Sequence, residues 1–317
     1  MFPIADESED GQRSDSGCWQ HGRMRRIGAI FQPEFPPERL RPVVEAAEEA
    51  GVPELWLWED CFQQSAFGTV AAALAWSERL KVGIGVAPMP LRNVAVTAME
   101  IASIARLFPD RLLPGVGHGV QRWMAQTGSR VASPLTLMRE YVPALRQLLA
   151  GEEVTTSGRY VSLKGVRLDW PPAAVPLVHA AGEGPKTLRL TGETADATIL
   201  VGGTSVARVA EAVSMIADGR AAAGRDGRNE VVAYVIAGFG GREARERVNG
   251  ELARSNVLDD GPRAAVGDAS DVAEVAEQYF AAGADAVVLQ STSDEPDLEG
   301  FMRHVGDVSR QLAPSVA

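Results

Sequence analysis

Apolar residues in this chain gather in short dense runs, and most runs are followed by a stretch whose apolar positions return at helical spacing. The runs cover residues 26–31, 55–58, 81–86, 112–117, 176–181, 197–201, 231–237 and 286–290. Short apolar runs alternating with helical patterns predict βαβ units and a parallel sheet. The stretch 80–119 shows this grammar most clearly. One run ends in Gly85-Val86-Ala87-Pro88 and a second in Gly115-Val116-Gly117-His118-Gly119. Between them, residues 93–108 carry Ala95, Ala98, Met99, Ala102, Ala105 and Arg106 at helical spacing. Glycine at both strand exits lets a flat or anionic group approach the backbone closely, so this region reads as a cofactor cradle. Eight units in a chain of 317 residues fit an α/β (β/α)8 TIM barrel, usually ~250 residues plus insertions, better than a doubly wound sheet. No Gly-x-Gly-x-x-Gly follows the first run, which weakens the dinucleotide-binding alternative.

The spacing of the runs is uneven after the fourth. Residues 120–175 exceed what a βα loop and helix need, which predicts an insertion after strand 4 at the carboxyl-terminal rim of the barrel. Within it, Ser133 as N-cap and Pro134 in the first turn open a helix that should stop at Gly151. Residues 153–168 read as an extended hairpin around Ser157-Gly158. A smaller insertion is expected at 257–268. Residues 1–23 are acidic, Ser/Gly-rich early on and aperiodic. A poorly ordered extension is therefore expected ahead of a single barrel domain over 24–317.

Charge and composition narrow the partners. A net charge of −11 argues against nucleic acid, whose phosphates want a basic face. No apolar run is long enough to cross a bilayer, so no membrane partner is expected. The two cysteines, Cys18 and Cys61, offer neither a disulfide framework nor a zinc site. No two histidines stand at metal-ligand spacing, so no catalytic metal is expected. The expectation is a cytoplasmic protein acting on a small molecule.

On a barrel, chemistry sits at the carboxyl ends of the strands. The second run exits into Trp58-Glu59-Asp60-Cys61. Two adjacent carboxylates there can bind a cofactor's polar edge or tune a proton transfer, or one can simply cap the next segment. Cys61 is a poor nucleophile beside them, because their charge raises its pKa. After the third run, Pro88 and Pro90 stiffen the loop beyond Gly85 and Val86. After the fourth, His118 stands between Gly117 and Gly119, where core packing explains it badly and where it could move a proton or bind an anion near neutral pH. Trp123 lies just beyond, and with Trp58 it could form an aromatic wall, although core packing accounts for Trp58 equally well. His179 falls inside the fifth run and reads as a barrel-interior residue. The fifth run exits through Gly182-Glu183-Gly184-Pro185-Lys186-Thr187 into a helix. Free N–H groups, a lysine and a hydroxyl at a helix start suit a phosphate, and Gly202-Gly203-Thr204-Ser205 after the sixth run repeats the theme.

The ordered set of Glu49-Ala50-Gly51, Trp58-Glu59-Asp60, Leu80 to Val86, Pro90-Leu91-Arg92-Asn93, Phe108-Pro109-Asp110-Arg111-Leu112, Gly184-Pro185-Lys186-Thr187 and Thr191-Gly192-Glu193-Thr194-Ala195-Asp196 resembles the bacterial luciferase-like superfamily of flavin- and deazaflavin-dependent oxidoreductases. Within it, the chain looks most like the F420-dependent branch near methylenetetrahydromethanopterin reductase. The resemblance implies hydride transfer between C5 of the deazaflavin F420 and a small organic substrate. It implies a non-prolyl cis peptide at Gly85–Val86 behind the ring, and a phosphate-bearing tail running toward Gly182–Thr187. Sugar-phosphate-oxidising relatives carry Asp-His after the second strand and a glutamate after the fourth. Here the matching positions are Asp60-Cys61 and His118, so glucose-6-phosphate oxidation is not expected and another proton donor is required. His118 is the candidate acid/base, with Glu59 and Asp60 orienting or polarising the ring or substrate. The alternatives are an FMN-dependent monooxygenase and a catalytically silent flavin-binding barrel. Relatives commonly dimerise through barrel helices, so a homodimer is expected, although the alanine face of 95–105 could equally pack on its own barrel.

Overall fold

Near-continuous apolar runs become strands when both faces of a sheet are covered, and strand alternation then divides each run between two cores. In the computed structural model, which describes residues 25–254 and 263–313, the Glu230–Phe239 strand shows this directly. Val232 and Tyr234 turn inward to join Ile30, Trp56, Ile199, Ala286 and Val288 in an interior cluster. Val231, Ala233 and Val235 turn outward into the larger core between sheet and helices. Trp56 dominates the interior. A Cβ on Gly83 would lie 2.2 Å from its ring, so a bare backbone is what gives the indole its room.

All strand pairs in the main sheet are parallel. The ladder runs from Ala87–Pro88 through Gly115–Gly117, His179–Ala181, Ala197–Leu200, Glu230–Phe239, Ala286–Gln290, Arg26–Ile30, Glu54–Leu57 and Lys81–Ile84 to Leu112–Leu113. This is a curled parallel α/β sheet whose hydrogen-bonded path is open, where a closed (β/α)8 barrel was expected. The run 81–86 forms a strand only to Ile84, and a separate short strand, Ala87–Pro88, follows beyond Gly85-Val86; the run 112–117 is split at Pro114, which has no N–H to give to a ladder. A further strand, Ala264–Gly267, pairs with Glu230–Phe239 where an insertion was expected. The rest of that insertion, 257–262, and the extension 1–23 lie outside the described residues.

Local chemistry sets the helix ends. Asn93 caps Val94–Leu107 and Ser133 caps Pro134–Leu149, each through its side-chain oxygen. Asp268 and Asp271 form a reciprocal capping box on Ala269–Ala282. In the segment after the fourth run, the antiparallel pair Val154–Ser157 and Ser162–Val166 forms the expected hairpin. Glu140 on the preceding helix pins its turn by accepting from the N–H groups of Arg159, Tyr160 and Val161. The alanine face of Val94–Leu107 packs on its own barrel, with Ala98 and Ala102 buried. Among the described residues, no helix is long and apolar enough to cross a membrane.

Candidate active site

The carboxyl ends of the strands surround a cavity of about 490 Å³, within the ~300–1,000 Å³ range of small-molecule sites. Of the residues singled out in the sequence, Trp58, Glu59, Asp60, Gly85, Val86, Gly117, His118, Gly182, Glu183, Gly184, Thr187 and Gly202 line it. Pro185, Lys186, Gly203 and Trp123 do not. The helix Pro185–Thr194 turns the first two away from the cavity, and Lys186 is exposed to solvent. Trp123 sits on a separate short helix, Gln121–Gln126.

The second-strand exit is built around one ion pair. Arg92 grips Glu59 with both nitrogens, at 2.5 and 2.8 Å, a bidentate geometry that fixes the carboxylate's plane. Glu59 Oε2 also accepts the N–H of Ala66 at the start of the next helix, 3.2 Å away. Buried, paired and capping, Glu59 is held as an anchor at the edge of the cavity. Its backbone N–H reaches Val86 O at 3.1 Å, tying the exit to the third-strand bulge. Asp60 is different. Trp58 Nε1 donates to Asp60 Oδ2 at 2.8 Å, and burial holds the carboxyl above its ordinary range despite that bond. Burial and the Glu59 and Asp60 charges push the Cys61 thiol up, consistent with an inert cysteine.

The third-strand bulge forms the back wall. The Gly85–Val86 peptide bond is cis, and so is Cys61–Phe62. Tyr234 Oη donates to Gly85 O at 3.3 Å. A Cβ on Gly85 would come within 1.8 Å of that hydroxyl, and one on Gly117 within 2.6 Å of Val86 Cγ2. Glycine at both positions therefore keeps this wall flat. Tyr234 stacks on Trp58 with ring centroids 6.4 Å apart, and burial raises its phenol well above 10. His118 also lines the cavity; its Nδ1 is buried and, among the described residues, without a hydrogen-bond partner, and burial lowers the imidazole pKa, which favours the neutral ring. The helix Pro185–Thr194 begins at Gly184 with no side-chain cap, leaving first-turn N–H groups available to an anion.

Sequence reasoning passed over Tyr234, Arg92 as a site residue, and Gln290, all tied to this cavity or its rim. The signal for Tyr234 was a hydroxyl inside the apolar run Val231-Val232-Ala233-Tyr234-Val235, and for Gln290 an amide at the exit of the last run. His179 is buried inside the sheet, edge-on to Trp56 at 5.2 Å, as its position in the fifth run suggested.

Residues 19–259 match the family described as luciferase-like monooxygenase. The 5,10-methylenetetrahydromethanopterin reductase of Methanolobus tindarius is 30% identical over 209 residues, covering 66% of this chain and 64% of that protein. The F420-dependent glucose-6-phosphate dehydrogenase of Tsukamurella paurometabola is 33% identical over 186 residues, covering 54% and 55%. The chain thus spans between about half and two-thirds of the length of these curated relatives. A solved F420-dependent secondary alcohol dehydrogenase, in complex with an F420-acetone adduct, superposes with a TM-score of 0.79 over 91% of this chain and 99% of its own. At 19% identity, that likeness speaks for the fold alone. With a family match across most of its length, the chain belongs to the luciferase-like monooxygenase family.

Proposed function

We propose that this chain is an F420-dependent oxidoreductase acting on a small organic substrate, on a (β/α)8 barrel whose third and fourth strands are each interrupted. The observation that carries the reading is the flat glycine wall at Gly85-Val86 and Gly117, with His118, whose pKa burial lowers, lining the same cavity. Relatives named as F420-dependent supply the cofactor class. The residues present fit such a group. Gly85, Val86 and Gly117 would bear on the ring, while Gly182, Gly184, Thr187 and the uncapped helix start would hold a phosphate-bearing tail. Lys186, outside the cavity, would at most meet a tail that leaves it. When bound, the deazaflavin gives or accepts the hydride at its C5.

The protein's own part is to orient and to move a proton. A neutral imidazole can take a proton from a substrate hydroxyl as it is oxidised, or return one in the reverse direction, and His118 lines the cavity where that hydroxyl would sit. Asp60, oriented by Trp58, polarises the same end of the cavity. Arg92 holds Glu59 so that its charge is neutralised and its backbone supports Val86. We also propose a homodimer with Val96, Met99 and Leu107 at its contact, all exposed on Val94–Leu107. Light scattering of the purified protein tests it.

Titrations with F420 and, separately, with FMN, followed by fluorescence, test the reading. Tight F420 and weak FMN binding is expected. The reverse preference would favour the second reading, an FMN-dependent monooxygenase, which the family description supports. Binding of neither would overturn both. His118→Gln should leave F420 affinity within about twofold while turnover falls by about 10²–10⁴, the usual weight of a general acid/base.

A further inference from the structure

We propose that Gln290 reads the bound ligand: its side-chain oxygen, held toward the cavity by a buried amide relay, accepts a hydrogen bond from a ligand N–H or O–H. The relay is set from the inside outward. Ser291 and Gln32 are buried, 0% and 2% exposed. Gln32 Nε2 donates to the Ser291 carbonyl at 2.7 Å. A backbone carbonyl only accepts, so the amide nitrogen of Gln32 must occupy that side and its oxygen the other. Gln290 Nε2 then donates to Gln32 Oε1 at 3.3 Å.

The nitrogen of Gln290 is thereby spent inward, and its oxygen must face the other way. Gln290 lines the cavity, and among the described residues its Oε1 accepts no hydrogen bond. Gly202, at the exit of Ala197–Leu200 two places along the sheet, gives this oxygen its room, since a Cβ there would stand 2.6 Å from it. Without the relay the amide could turn over and present a donor instead, selecting a ligand carbonyl. A glutamate at 290 would face Gln32 Oε1 with no proton to give. The arrangement therefore calls for an amide at 290 in one orientation, which a purely packing role would not require.

Two sources share this donor chemistry, the imide N–H of a deazaflavin ring and the hydroxyl of an alcohol substrate. The choice of probes rests on the cofactor reading above. F420 is titrated into wild-type protein, Gln290→Met and Gln32→Met, with thermal unfolding confirming that each variant is folded. Ligand-observed NMR then compares benzyl alcohol with its methyl ether on F420-loaded protein. If the donor is on the ring, Gln290→Met weakens F420 about five- to tenfold, and Gln32→Met, which frees the amide to turn, weakens it less. If the donor is on the substrate, F420 affinity holds, but the wild-type preference for the alcohol over the ether disappears in both variants. Unchanged F420 affinity together with an unchanged alcohol-to-ether ratio would overturn the assignment. Wild-type protein that binds no F420 would refute the cofactor reading instead, and the alcohol-to-ether comparison on the unloaded protein then decides the role of Gln290 alone.

Discussion

Arg26→Met should be among the most destabilising single substitutions on the sheet. Arg26 sits at the amino-terminal end of its strand, the end opposite the strand exits that line the cavity, where side chains serve stability rather than chemistry. Its guanidinium bridges Glu54, 1% exposed, and Glu230, 21% exposed. Glu54 also accepts from Trp56 Nε1 at 3.1 Å, so the pair is tied to the interior cluster. Two independent estimates agree on the size of the effect. Removing one partner of a buried ion pair costs ~3–5 kcal/mol, because the remaining charge is stranded. Burial pushes the Glu230 carboxyl up, but the His179 ring and the Arg26 charge pull it further down, from 4.5 to about 2. By linkage, that lowering is worth about 3 kcal/mol. His179 Nε2 stands 3.9 Å from Glu230 Oε1, beyond hydrogen-bond range, so we assign most of the pull to Arg26. A carboxyl with a depressed folded pKa adds stability above its unfolded value and loses it as pH falls through the folded one. For Glu230 the loss runs from about pH 4.5 to about pH 2. Urea unfolding of wild type and variant at pH 7 should differ by about 3 kcal/mol, and the gap should narrow across that window. A pH 7 difference below about 1 kcal/mol, the value of an ordinary surface pair, would refute the reasoning, as would a gap that does not change with pH.

Trp58→Phe removes the hydrogen bond that lowers the Asp60 carboxyl against its burial. Its pKa should rise further, as carbonyl-region NMR titration would show. Gly219→Ala would drive a Cβ to 1.9 Å from Arg189 O at the crossing of Pro185–Thr194 and Val206–Ala222. We expect a loss of ~2 kcal/mol or more by chemical denaturation, because backbone has to move. Gly68→Ala is the opposite case. It lies inside the helix Ala66–Ala75 with open space at the Cβ position, so the same assay should show a gain of about 0.5–1 kcal/mol.

Much of the fold was legible because its signals are local. Each of the eight apolar runs overlaps at least one strand of the sheet, and the cap at Ser133 was readable because a capping side chain bonds the backbone two or three residues on. Ala264–Gly267 escaped notice because four residues with two alanines carry little apolar weight. The splits at Gly85-Val86 and Pro114 were hidden for another reason. A run looks continuous in hydrophobicity even where one residue leaves the hydrogen-bond path.

The candidate site divides along the same line. Which residues crowd the strand exits was set by the chain order of runs and glycines, since parallel strands deliver their carboxyl ends to one rim. What each residue does there was decided by contacts that sequence spacing does not encode. Glu59 and Asp60 are neighbours in sequence, yet one is clamped by Arg92, 33 positions on, and the other is paired with Trp58. Gln32 and Gln290 meet across 258 residues, and only that meeting orients the amide. Periodicity records which side of an element faces the core. The roles of polar groups depend on burial and on long-range partners, and those exist only once the chain has folded.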